Sequence, residues 1–337
     1  MSDINASILQ FCSEVGADPL MVQGAGGNVS WKEGDTLWIK ASGTWLSEAN
    51  INDIFVAVDY FSLKQAIHQG NYSAPINMKH VSKLKPSIET MLHALVPSKV
   101  VVHLHSIEIL SHLVRDHCEM DIARVLEGQF RYALVNYYKP GADLAAAVSL
   151  ALKNDSSCSI LFLKNHGIVI GGQDVEEVRQ LLYQLTQMFH TPISSRTYFD
   201  LPVSEVCGYV PVIDMEIHRL AIESQLMKMV QDSWALYPDH VVFLGPKPYV
   251  FSNWDEFRQT TRMTQELPEL IFIKNKGVFV FGTISRAKRA QLRCYYDVLS
   301  RQTLETNLKP LSNAQVDDIL NWDAEKYRML LAKDLSV

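Results

Sequence analysis

Apolar residues in the first third of the chain follow two periods. Residues 3 to 15 carry them at helical spacing, whereas VSWK and TLWIKAS, joined by EGD, read as strand, turn and strand. The glycine-rich VQGAGGN (22–28) therefore opens a hairpin. A dinucleotide-binding glycine fingerprint follows a strand and opens a helix, so this loop argues against one. DIFVAVD (53–59) predicts a further strand. In KPSIETMLHAL the residues Ile88, Met91, Leu92 and Leu95 fall at helical spacing, and VVVHLHS (100–106) reads as a buried strand. SIEILSHLVR and ADLAAAVSLALK predict helices, SILFLKN and GIVIGG predict two strands meeting at Asn165 and His166, and DVEEVRQLLYQLTQMFH predicts a closing helix.

Residues 191–213 hold three prolines and a glycine and mark a boundary. Beyond it the pattern predicts a helix over 214–235, strands at DHVVFLG and PYVF, an intervening helix, two strands and two more helices. Hairpins mixed with flanking helices predict an α/β (α+β) fold with a central antiparallel sheet. The expected division is a first domain over residues 1–195 and a smaller α/β domain over 196–337.

The two halves echo one another. ILFLKNHGIVIGG (160–172) returns as LIFIKNKGVFVFG (270–282), and PSKVVVHLHS (97–106) has a looser partner in PDHVVFLGPK (238–247). Histidine stands in the first turn where lysine, Lys276, stands in the second, and a protonated lysine has no lone pair to offer a metal. The expectation is a second half that is a reduced, metal-free relative of the first. If 240–282 does not match 99–172, the echo is two apolar strands and a turn.

A chain of 337 residues with 47% hydrophobic content can bury a sizeable core, and its net charge of −6 is too mild and too evenly spread for a nucleic-acid or membrane surface. The expected partners are small molecules and copies of the chain itself. The five cysteines are scattered and never spaced as CxxC, which points to reduced thiols rather than a disulfide framework or a cysteine-held zinc. No apolar run approaches 18 residues and the start lacks a leader pattern, so the expected location is cytoplasmic.

Alternate side chains of a strand share a face, so His103 and His105 project together and can share one ion. Catalytic zinc takes three protein ligands with nitrogen at about 2.0 Å and keeps a position open. His166, in the turn before Gly167, is the natural third. Glu89, one or two residues into the helix that Pro86 and Ser87 introduce, is a candidate general base, and that helix N-terminus suits a phosphate. Each histidine taken alone also reads as a core residue; His93, His112 and His240 are read that way.

GGNVS (26–30), IKASG (39–43), PSIETMLH (86–93), VVHLHS (101–106) and LKNHGIVIGG (163–172) occur in the order, and near the spacing, of the class II aldolase/adducin family. The chain resembles that family over about residues 5–190, and beyond them resembles its longer bacterial members, including the aldolase part of rhamnulose-phosphate aldolase/dehydrogenase fusions. The resemblance implies zinc, or another divalent metal, on His103, His105 and His166, with Glu89 as acid/base. It implies Asn28, Ser42, Gly43 and Ser87 around the phosphate of a sugar phosphate, and reversible retro-aldol cleavage through a metal-chelated enediolate. Epimerase, dehydratase and decarboxylase chemistry in the family uses similar intermediates, and a non-catalytic adducin-like scaffold is a further alternative. Ile88 stands where family aldolases have a second serine and Ala25 where a hydroxyl is common; Lys40 can compensate. The family's proton-donating tyrosine does not map, although Tyr137 and Tyr138 are available. A homotetramer with sites at subunit interfaces is the implied assembly.

Overall fold

The computed structural model describes residues 3–155, 157–193, 200–303 and 305–334. The strands are β1 (Asn28–Glu33), β2 (Thr36–Lys40), β3 (Phe55–Asp59), β4 (Val100–Leu104), β5 (Ala133–Val135), β6 (Ile160–Leu163), β7 (Gly167–Gly172), β8 (Tyr209–Pro211), β9 (Val250–Phe251), β10 (Leu270–Ile273) and β11 (Gly277–Phe281). They form a seven-stranded sheet in the order β3-β2-β1-β4-β7-β6-β5 and a four-stranded sheet in the order β8-β11-β10-β9. The large sheet is antiparallel except for the pair β5–β6. It is flanked by helices, as the apolar patterning requires.

Strand β4 lies in the middle of the large sheet, between β1 and β7. Its alternation sorts the side chains into two layers: Val100, Val102 and Leu104 join one apolar cluster with Phe162 and Leu185, while Val101 joins Leu92, Leu144 and Val169 on the opposite face. His103 shares the face of Val101. Antiparallel register sets Asn28 opposite His103 on one side and Val169 opposite it on the other.

The second half is not packed as a separate bead. Ile107, Leu110 and Val114, from the helix Ile107–Leu113 and its end, lie in one apolar cluster with Leu236, Val241 and Val298. At that junction a buried ion pair joins Arg301 to Glu108 at 2.8 Å.

The stretch 239–245, expected as a strand, belongs to the helix Pro238–Leu244. Its run His-Val-Val-Phe is buried on all sides, and a short run of that kind is equally compatible with helix and strand. Proline at the first helical turn, where its missing N–H costs nothing, was the arbiter. The helix expected over 214–235 is broken into a 3-10 turn Met215–His218 and the helices Arg219–Ile222 and Ser224–Asp232. Part of the expected boundary, 194–199, lies outside the described residues, and its end already contains β8.

The pairing proposed for PDHVVFLGPK therefore fails, yet the repeat is real at the level of topology. The order β4-β7-β6-β5 reappears as β8-β11-β10-β9, with the same antiparallel, antiparallel and parallel pairings. In each half a helix, Ala142–Asn154 or Trp254–Thr264, crosses between the parallel strands, and another, Val175–Met188 or Arg286–Leu299, follows the hairpin. Counting from Gly167 and Gly277, the residue opposite Val169 is His103 and the residue opposite Phe279 is Pro211. Pro211, Ile213 and Lys276 thus stand where His103, His105 and His166 stand. The repeat keeps the framework without the histidines.

Candidate metal centre

The three histidines arrive from two neighbouring strand ends. His103 and His105 follow from β4, and His166 sits in the turn between β6 and β7. Asn165 takes the left-handed conformation there at φ 54°. Gly167 lets the turn close on β4: a Cβ on it would meet the Leu104 carbonyl oxygen at 2.4 Å, His105 Cδ2 at 3.1 Å and His103 Cε1 at 3.2 Å. One ligand nitrogen from each histidine lies within 4.8 Å of the others, and all three rings are buried.

Partners at Nδ1 orient the lone pairs of two of the three rings. His103 Nδ1 faces the Ile168 carbonyl oxygen at 3.0 Å, so it donates and leaves Nε2 as an acceptor. His105 Nδ1 faces the Asp239 carboxylate at 3.5 Å, which favours a proton there as well. The two Nε2 atoms then converge at 3.2 Å. Two lone pairs at that separation repel unless a cation lies between them, and a divalent ion suits nitrogen donors of this kind. Burial pushes both His105 and His166 down to about 3, so in the metal-free chain these two imidazoles are neutral at ordinary pH and available as ligands. The donor set fits a divalent metal.

Glu89 stands against this cluster, with Oε2 3.6 Å from His103 Nε2 and Oε1 3.5 Å from His166 Nε2. It is the N-cap residue preceding the helix Thr90–Leu95, not a residue one or two positions inside it, because the turn through Ser87 holds it back: its N–H donates to Ser87 Oγ at 3.2 Å. The Asn28 side chain donates to Glu89 Oε2 at 2.6 Å, whereas the buried Oε1 makes no hydrogen bond. One of the two Asn28 amide N–H groups is thereby occupied with the carboxylate.

A narrow cavity of about 30 Å³ adjoins the cluster, lined by Lys40, Ser42, Gly43, Ser87, Ile88 and Glu89 among others. The Lys40 ammonium donates to the Ala25 carbonyl at 3.1 Å and the Thr44 carbonyl at 2.8 Å, tying the glycine loop to the Ser42–Gly43 turn. Burial pulls it down to about 7, with the Arg328 charge adding to the shift. The glycine loop itself approaches the histidines: a Cβ on Gly27 would lie 3.1 Å from the His103 carbonyl oxygen. His93 and His240 are fully buried and His112 nearly so, as a structural role requires. Tyr138 is exposed and Tyr137 does not line the cavity.

The profile of the Class II Aldolase and Adducin N-terminal domain matches residues 6–193. The chain belongs to this family. An L-fuculose phosphate aldolase of Methanococcus maripaludis is 28% identical over 51% of this chain and 92% of its own length. A methylthioribulose-1-phosphate dehydratase of Klebsiella pneumoniae is 26% identical over 57% of the chain and 96% of its own length. The uncharacterized oxidoreductase YuxG of Bacillus subtilis is 27% identical over 79% of the chain, which spans only 44% of that relative. Among solved structures, the N-terminal class II aldolase domain of a conserved Thermoplasma acidophilum protein is 26% identical, with a TM-score of 0.48 over 56% of this chain and 92% of its own.

Of the cavity residues from outside the family-matched segment, two are charged: Asp239 and Arg328. Neither was legible beforehand. Their approach is tertiary, and no spacing in the sequence joins them to the histidines. Four of the five cysteines are buried and none is paired, as expected. Among the described residues no helix is long and apolar enough to cross a membrane.

Proposed function

We propose that the chain is a divalent-metal lyase that cleaves a phosphorylated sugar, or a related hydroxy-carbonyl compound, by reversible retro-aldol reaction. Its working residues lie in a catalytic domain spanning 1–195, and a smaller domain, 196–337, closes over them. The observation that carries this reading is the convergence of His103, His105 and His166 beside a carboxylate with one buried oxygen that makes no hydrogen bond.

His103, His105 and His166 would hold zinc or another divalent ion. Such an ion, when bound, acts as a Lewis acid that polarises the substrate carbonyl. Glu89 Oε1 is the base: it takes the proton of the hydroxyl one carbon beyond the carbonyl's neighbour. That O–H pair becomes the new aldehyde C=O, the carbon–carbon bond breaks, and its electrons pass to the carbon next to the polarised carbonyl. Glu89 then returns the proton to that carbon. Asn28 serves this step by fixing Oε2, and its second amide N–H remains available to the phosphate.

Ser42, Gly43 and Ser87 are the proposed phosphate contacts, assisted by the Lys40 charge. Ile88 removes one hydroxyl from this wall and favours a substrate with an apolar edge there. Entry requires the C-terminal helix Asp323–Asp334 to shift, since about 30 Å³ holds a water or an ion and not a sugar. Leu331 of that helix lies over Gly43.

Dehydration at the same site is the second reading, favoured by the dehydratase relative. Incubation with a panel of ketose phosphates separates the two: cleavage gives two carbon fragments, dehydration gives one product with water lost. Absence of turnover on the whole panel, or an unchanged rate in Glu89→Gln, overturns the lyase reading.

A further inference from the structure

Asp239 lies in the first turn of the helix Pro238–Leu244, beyond the family-matched segment, yet its carboxylate is buried against the metal centre. Oδ2 lies 3.5 Å from His105 Nδ1. Oδ1 accepts a hydrogen bond from Arg328 Nη2 at 2.9 Å. The other arm of that guanidinium, Nη1, donates to both oxygens of buried Glu325, at 3.0 and 2.9 Å. Glu325, Arg328, Asp239 and His105 thus form a chain that runs from the C-terminal helix to the histidine cluster.

We propose that Asp239 is a positioning residue for the metal, fixing the tautomer and the aim of His105, with Arg328 holding it in place. The inference rests on the reading of the three histidines as metal ligands. A histidine that binds a metal through one nitrogen must protonate the other, and an acceptor at that other nitrogen decides which is which. His103 receives this acceptor from the backbone of its own sheet, the Ile168 carbonyl. His105 lies past the end of β4, and the acceptor facing its Nδ1 is supplied by the second half instead.

Two features mark the arrangement as built. Gly26 leaves room for it: a Cβ there would crowd Asp239 Oδ2 at 3.0 Å and His105 Nδ1 at 3.1 Å. The carboxylate is also gripped on both oxygens from other elements: Arg328 Nη2 donates to Oδ1 at 2.9 Å and Gln291 Nε2 donates to Oδ2 at 3.4 Å. A charged acceptor makes the imidazole a better donor to a cation than a carbonyl does. The second half, which carries Pro211, Ile213 and Lys276 at the positions matching the three histidines, therefore works on the first half's site.

The test uses the full chain, stripped of metal and titrated with zinc against a chromophoric chelator, and with cobalt for its visible spectrum. Wild type takes up one ion. Asp239→Asn lowers zinc affinity by about 10- to 100-fold and changes the cobalt spectrum, since outer partners of metal-bound histidines have effects of that size. Asp239→Asn leaves Arg328 facing a neutral partner, so the paired variant Asp239→Asn/Arg328→Met is measured beside it, and the same loss is expected. Wild-type affinity and an unaltered cobalt spectrum in either variant, with the ion still bound by wild type, overturn the inference alone. Failure of wild type to bind any ion overturns the metal reading and this inference with it.

Discussion

Asn165 and Asn275 occupy the same corner of the two hairpins, at φ 54° and 57°, and differ in what their side chains hold. Asn165 donates to the Leu236 carbonyl at 2.9 Å and to the Lys309 carbonyl at 2.7 Å, stitching the first half to the second. Asn275 is exposed in the turn between β10 and β11. Both backbones favour glycine, but only one side chain spans the halves. Asn165→Gly is expected to destabilise by about 2–3 kcal/mol, because two carbonyls lose their donor. Asn275→Gly is expected to stay within about 0.5 kcal/mol of wild type. Equilibrium urea unfolding of the two variants checks the contrast, and equal effects would remove this stitch from the account.

Much of the first half was readable because its strands alternate cleanly and its ligands sit on one strand and one turn. The pair at 103 and 105 needed only the two-residue period, and His166 needed only the turn that Gly167 permits. The second half was less readable because buried apolar runs of four residues, as in Pro238–Leu244, carry no period. The strands β5 and β8, with three residues each, are too short to show a two-residue period. The repeat shows in the sequence as KNHG and KNKG, whereas its first strand carries no matching motif; β8, not 238–247, is the counterpart of β4. Asp239 and Arg328 carried no signal at all, since only the closed fold brings them to His105.

Glu89→Gln separates binding from chemistry. The amide keeps the size of the carboxylate and can still meet the Asn28 amide through its oxygen, but it cannot accept a proton. Turnover is expected to fall by about 10²–10⁴-fold. The bound metal, counted by elemental analysis, is expected to be retained. A rate within a few-fold of wild type would assign the base elsewhere.

Gly167→Ala tests the closeness of β7 to β4. The added methyl would meet the Leu104 carbonyl oxygen at 2.4 Å, and neither strand can yield without moving His103 or His105. A loss of about 1–3 kcal/mol of stability is expected, together with weaker metal binding. Denaturation and zinc competition on one preparation report both, and unchanged values would show that the turn has slack.

His240 gives a pH dependence with a definite sign. Burial pushes its imidazole down to about 3, and it packs among Trp234, Tyr237 and Tyr295. The unfolded chain binds its proton near the ordinary value of about 6.5, so its contribution to stability is whole above that value and is lost as pH falls toward 3. In metal-stripped protein, stability should drop between pH 6 and pH 4. His240→Gln should flatten that slope by up to about 1.4 kcal/mol per pH unit. Parallel slopes for the variant and wild type, from urea unfolding at each pH, would contradict the buried, neutral state.

Metal content measures the central claim most directly. Elemental analysis of purified wild type, His103→Ala and Lys276→Ala, each dialysed against the same trace of zinc, compares the two halves of the repeat. The expected result is about one divalent ion per chain in wild type and Lys276→Ala and close to none in His103→Ala. An ion retained in full by His103→Ala, or no ion in wild type, would contradict a metal centre on His103, His105 and His166.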